Sequence, residues 1–438
     1  MREGGCDGLS LTAVQESHAF DPALESAPTW GNSELVALRK SAADLFRQKG
    51  FPTLKDEEWR YTSVAPITSK SYVLAASPGK TEHAIAEKRV CANLVVIDGH
   101  FVPELSDLGR LPKGAAVFPL REACEKNWGQ VGAHLGRLVD WSFYPFAALN
   151  TAHLNDGIVL WVEEGVVVEE PIQVTFVATA GRVAHPRLLV VVEKGGGLQL
   201  ISECYAEKDA FLNLVEEGWY GESSAVRYTR LQDADDEGSL VATFTGKVLG
   251  EASVETETVT LGGGLVRNDS GLILAGENIH ATLDGLYLGT RKQHIDHHTF
   301  LDHTMPNCNS FENYKGILDG SAVGVFNGKI FVRHGAQKTD SKQSNRNLLL
   351  SRDATVNSKP QLEIFADDVK CTHGATIGQI EPSQMFYLQS RGIPKEHARQ
   401  ILTFAFANEI IEKIPHEPLR KRLEEEIFAR FTPGREET

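Results

Sequence analysis

Between residues 91 and 378 the chain is a long succession of short runs rich in Val, Leu, Ile, Thr and Phe, punctuated by Gly, Asp-Gly and Asn-Gly. Residues 93–97, 158–162, 172–177, 187–192, 198–201, 253–261, 279–288 and 329–332 are examples. Helical periodicity is nearly absent there, apart from a candidate helix around residues 120–138. So many short strands with tight turns require a sandwich, barrel, propeller or β-solenoid. A solenoid is preferred for three reasons. The strand region is too long for one sandwich, no blade-length motif recurs, and runs such as residues 188–192 suit parallel strands buried on both faces.

Helical signals flank this region. Residues 32–49 read as a helix capped by Asn32 or Ser33, with Leu35, Leu38, Ala42, Leu45 and Phe46 as its apolar stripe and Gly50 after its end. An aromatic-rich segment follows at residues 51–62, then a polar loop or weak helix at 69–87. Past Gly378, Pro382 suits a first helical turn ahead of Met385, Phe386 and Leu388. Pro394 opens a longer helix carrying Ala398, Ile401, Leu402, Ala405, Phe406, Glu409 and Ile410. Pro418 opens another with Leu419, Leu423, Ile427, Phe428 and Phe431. Such helices are expected to cap the open edge of the solenoid, and their bulky apolar residues add a partner surface. The expected domains are 1–90, 91–378 and 379–438.

The 438 residues, 42% hydrophobic and 24% charged, provide ample core. A net charge of −15 argues against nucleic acid or an anionic membrane as partner. The longest apolar runs are strand-sized, far short of a membrane span. Residues 1–7 show neither an apolar signal core nor transit-peptide character, and the six cysteines are scattered with no Cys-x-x-Cys. A reducing cytoplasm is the expected location.

Few motifs carry chemistry. Gly79-Lys80-Thr81 resembles the end of a phosphate-binding loop, but Leu74 stands where that loop needs glycine, so no nucleotide is expected here. Gly195–Gly197 and Gly262–Gly264 read as solenoid turns. His294, Asp296 and His298 share one strand face with His297 on the other. A polar ladder between coils is the expectation for them, with a metal site using His294, His297, His298 and His303 as the minority reading. The Asn-rich residues 307–316 read as turns, with Cys308 a small packed residue. Residues 340–350 read as a polar loop or as an internal side-chain ladder.

Cys371-Thr372-His373 places a soft thiol and an imidazole on the same side of an extended strand, roughly 7 Å apart along it. That is wide for a two-ligand clip and suits a half-site awaiting a partner. A buried cysteine beside a core histidine is the competing reading.

Residues 335–350, then 359–376 around Cys371 and His373, and then 384–394 together resemble the SufB/SufD family of iron–sulfur cluster assembly proteins. The likeness is most specific over residues 270–412. Within the family it is closer to the SufD branch, through residues 51–62 and through Gly374, where SufB proteins tend to carry glutamate. The resemblance implies a mainly β fold: a right-handed parallel β-helix core with N- and C-terminal helical regions. It further implies a non-catalytic scaffold in a complex with SufB, paired through the β-helix, and with the ATPase SufC, docked on the helices after Pro382. A transient iron–sulfur cluster or iron would be shared with SufB, with His373 matching the ligating histidine and Cys371 the cysteine beside it. Flavin involvement, a homodimer and the role of Cys371 stay open. A carbohydrate-active β-helix enzyme and a stand-alone metal-dependent enzyme are the alternatives.

Overall fold

The structure is a computed structural model that describes residues 28, 30–83 and 89–431. The expectations about residues 1–7 and the later part of the loop at 69–87 fall outside them. Successive strands alternate between an eleven-stranded and a ten-stranded sheet, so each turn of chain adds one parallel strand to each. The result is a parallel β-solenoid of about eight turns. In one column Phe211, Ser239, Leu265, His294, Val323 and Thr355 stack in register. The uneven spacing of these residues explains why no repeat is visible in the sequence: strand lengths are constant, while the corners are not.

Strands covered on both sides are apolar on both sides, as residues 188–192 of strand Arg187–Val192 show, all being buried. Elsewhere alternate residues fill the lumen. Along one lumen column Ile172, Leu200, Tyr228, Thr256, Leu283, Glu312, Gln343 and His373 follow each other rung by rung. The neighbouring column runs Val168, Leu198, Val226, Val254, Ala281, Ser310, Ser341 and Cys371. Both begin apolar and end polar. Past a bend at Asn307, the Asn-rich segment read as turns is a strand, Asn309–Leu318, whose Ser310 and Glu312 line the lumen while Asn309 and Asn313 lie on its other face. Residues 340–350 are likewise a strand, Asp340–Leu349, with Ser341, Gln343, Asn345 and Asn347 buried inside as a ladder.

The two ends differ. At the N-terminal end a tight Asp98-Gly99 turn, both residues at positive φ, folds Ala92–Ile97 back on His100–Phe101, and Ala115–Pro119 runs antiparallel to Gly157–Val162. At the C-terminal end Thr355–Ile364 and Lys370–Gly378 each pair on one side only among the described residues. Their side chains are half-buried to exposed, where the preceding coils are buried.

The C-terminal helices do not cap this end. Lys395–Ile411 and Glu417–Arg430 lie along the outer face of the ten-stranded sheet. Ile410, Ile411, Leu419, Leu423 and Ile427 cover Val259, Leu286, Ile317 and Leu348 there. The reason is physical: that outer face is itself apolar, and burying it outweighs covering a short edge of backbone. Ion pairs pin the helices, with Lys413 to Asp284 at 2.7 Å, Arg422 to Glu203 at 2.6 Å and Glu409 held by both Lys315 and Arg346 at 2.6 Å. The buried stripe of Lys395–Ile411 consists of Ala398, Gln400, Thr403, Ala407, Ile410 and Ile411, and Ile401 and Ala405 face out.

The opposite outer face carries the N-terminal elements. Helix Ser33–Lys49, capped by the Asn32 side chain on Leu35 N, joins Trp59 and Phe146 in packing over Phe211, Val241 and Leu265. The candidate helix at 120–138 is broken into Leu120–Lys126 and Trp128–Val131.

Candidate functional site

The open end is where the chemistry-bearing residues surface. Strand Lys370–Gly378 pairs with Asp340–Leu349 so that Ser341 meets Cys371 and Gln343 meets His373. Ser341 and Gln343 face the lumen, so Cys371 and His373 share the lumen face, as their spacing predicts. Cys371 is half-buried against the core, and burial raises its thiol above the ordinary range, with the Ser341 backbone opposing and Asp340 reinforcing. His373 is exposed.

Behind them stand two polar ladders. Ser341 Oγ lies 2.6 Å from Ser310 Oγ, which lies 2.9 Å from His303 Nε2. Gln343 Nε2 donates to Glu312 Oε2 at 2.7 Å, and Thr299 Oγ1 donates to Glu312 Oε1. Burial pushes the Glu312 carboxyl up to about 7, against the pull of Thr299 and Gln343. Chemically, the end offers a borderline imidazole and a soft thiol on one edge, and metal would need further donors from outside it. Among the described residues no group of three His, Cys, Asp or Glu side chains is arranged to hold a metal ion.

The histidine-rich strand His294–His303 serves a different purpose. Thr62 Oγ1 donates to Asp296 Oδ2 at 2.5 Å and lies 2.9 Å from His294 Nε2. His298 bridges Asp296 and Glu58, each at 3.2 Å. Arg267 is fully buried between Asp269 at 2.7 Å and Asp296 at 2.6 Å, donates to the Glu58 carbonyl and lies 4.3 Å over the Trp59 ring. These outward residues anchor the segment 57–62 to the solenoid, whereas the expectation had been a ladder between coils. His297, on the lumen side, is buried near Thr260, and burial lowers it to about 3. Sequence reasoning missed Arg267 and Asp269; a charged pair inside the otherwise strand-like 265–274 was the available signal. Beside the anchor, a cleft of about 320 Å3 is lined by Glu58, Tyr144, Asp269, His298, Phe300 and Lys329 among others.

The anchor carries a pH dependence. Burial and Arg267 disfavour the charge on His298, but Asp296 and Glu58 outweigh them and raise its pKa. The hydrogen bond from His298 in turn lowers that of Glu58. A raised folded pKa gives stabilisation that is complete below the ordinary imidazole range and lost as pH climbs through the folded value. A lowered carboxyl gives stabilisation present above the ordinary carboxylate range and lost as pH falls through its folded value. The anchor is therefore tightest between the two. Hydrogen-exchange protection of residues 59–62, corrected for intrinsic rates, is expected to fall on raising pH past the His298 titration, and that step should vanish in His298→Phe.

Two family models match, and between them they cover most of the chain. One, the SufBD protein N-terminal region, matches residues 21–174; the other, the SufBD core domain of SUF system iron–sulfur cluster assembly, matches residues 175–406. The chain belongs to the SufBD family. It is 32% identical over 418 residues to an iron–sulfur cluster assembly SufBD family protein of Synechocystis, covering 91% of this chain and 92% of that protein. Against the iron–sulfur cluster assembly protein SufD of Escherichia coli it is 30% identical over 393 residues, covering 88% and 90%. Against SufD of Bacillus subtilis it is 27% identical over 433 residues, covering 95% and 97%. It is thus a SufBD-family iron–sulfur cluster assembly protein, and the boundary between the two family models falls inside the solenoid, within strand Val167–Ala178. No described helix is long and apolar enough to cross a membrane.

Proposed function

We propose that this SufBD family chain is a SufD-type scaffold that lends half of an iron-binding site to a SufB-type partner. The observation that carries this is the open solenoid end, where two strands with free edges present His373 beside Cys371. A partner solenoid laid against those edges would continue the ladders and bring the further donors that iron requires. His373 is the ligand, Cys371 a neighbour whose raised thiol makes it the weaker one. Iron or a nascent cluster is cargo, held transiently at the interface. The chain binds no nucleotide; an ATPase of SufC type would dock on the C-terminal helices and supply the work. A reducing compartment suits its free cysteines. Co-expression with SufB-type and SufC-type proteins should yield one complex by size and stoichiometry. Recovery of the chain alone, with both partners soluble, would contradict this.

Helix Pro382–Ser390 supports the docking assignment, since it buries none of its residues and leaves Phe386 73% and Tyr387 56% exposed. Exposed aromatics of this kind are typical binding anchors. Replacing both by Asp should leave stability within about 0.5 kcal/mol of the parent. The same change should weaken binding to the ATPase by about 2 kcal/mol or more. Denaturant unfolding and calorimetric titration check the two halves separately.

A further inference from the structure

The lumen column that ends at His373 contains an amide held in one orientation. Gln343 is 3% exposed and stands one rung inside His373, in register with it. Its Nε2 is committed inward, to Glu312 Oε2 at 2.7 Å, and Thr299 secures the other carboxylate oxygen. Gly328 makes room for this arrangement, because a Cβ there would sit 2.3 Å from Gln343 Nε2 and 2.9 Å from its Cδ. The amide oxygen Oε1 is what remains, buried and without a hydrogen-bond partner among the described residues. Buried acceptors are almost always paired, so an orphan one marks a missing donor. The next lumen-facing side chain along the column is His373, one strand spacing or roughly 4.8 Å away, within reach of a change in its side-chain torsions.

We infer that Gln343 Oε1 accepts a ring N–H of His373, so that Glu312 and Gln343 fix the imidazole tautomer and aim its other nitrogen out of the solenoid end. This rests on the reading above only in taking iron as what the free nitrogen meets. A histidine ligand needs its second nitrogen held, because that bond sets which nitrogen carries the lone pair and where it points. Gln343 is thus a positioning residue, and Glu312 acts through it. No proton needs to leave either group.

The test uses the full chain with isotope-labelled histidine, iron-free, at a pH above the ordinary imidazole range. The His373 signal is identified by its loss in His373→Ala, and its Cδ2 chemical shift reports the tautomer. One tautomer is expected in the parent chain and a solvent-like mixture in Gln343→Leu. Gly328→Ala, which displaces the amide without removing it, should move the signal the same way. Glu312→Gln should keep the single tautomer, because its carboxamide oxygen still accepts from Gln343 Nε2. A solvent-like mixture in the parent, which requires no variant to fold, overturns the inference, as does an unchanged signal in Gln343→Leu. In the assembled complex Gln343→Leu should lower Fe(II) loading about tenfold or more. If His373 is not an iron ligand, the tautomer result stands and only the loading effect disappears, so the two failures are distinguishable.

Discussion

His373→Ala is expected to leave the solenoid folded and the complex assembled, and to abolish cluster maturation. His373 is exposed on a strand with a free edge, so truncating it removes no core packing and at most its single bond to Gln343 Oε1. Surface changes of this sort usually alter stability by no more than about 0.5 kcal/mol. Loss of one of very few ligands is a different matter, since no second imidazole stands on the same edge to replace it. Anaerobic loading of the purified complex with iron and sulfide should show cluster absorption in the parent and none in the variant. Cys371→Ser in the same assay should reduce the signal far less, because its thiol is raised by burial and half-covered by the core.

Arg267→Met is expected to be the most destabilising single change in the N-terminal anchor. The side chain is fully buried, and it alone places a guanidinium between Asp269 and Asp296. Removing it takes the cation from Asp269 in a low-dielectric site, leaves Asp296 to Thr62 and His298, and strips the cation from the face of Trp59. Breaking a buried pair of this kind costs about 3–5 kcal/mol. Arg267→Lys should recover only part of that, since an ammonium cannot serve both carboxylates with a planar fork. Denaturant unfolding measures the loss, and hydrogen exchange should show residues 57–62 released ahead of the solenoid. A cost below about 1 kcal/mol would mean that the anchor is not held by this network.

Much of this was legible in the chain. The short strands, the buried parallel runs and the polar ladder at 340–350 follow from residue type and alternation, and so does the shared face of Cys371 and His373. What was not legible depends on which surface meets which. The helical stripes of residues 395–430 are as compatible with capping an edge as with lying on a face; only the apolar outer patch around Val259, Leu286 and Ile317 decides it. The same holds for residues 307–316: Asn307 does sit in a bend, but the strand that follows is recognisable only once the lumen is seen to accept Ser310 and Glu312. The histidines at 294–298 looked like ligands or a ladder because their partners, Glu58 and Thr62, lie more than two hundred residues earlier in the chain. Long-range pairing of that kind leaves no local signature.

On this reading an imidazole from this chain touches the iron. Electron spin-echo spectroscopy of the assembled, reduced complex, with nitrogen-15 histidine confined to this chain, measures that contact directly. A nitrogen-15 hyperfine coupling to the cluster is expected, and it should vanish in His373→Ala. A fully loaded cluster without that coupling, or with a coupling that survives the substitution, would show that the iron is held without His373.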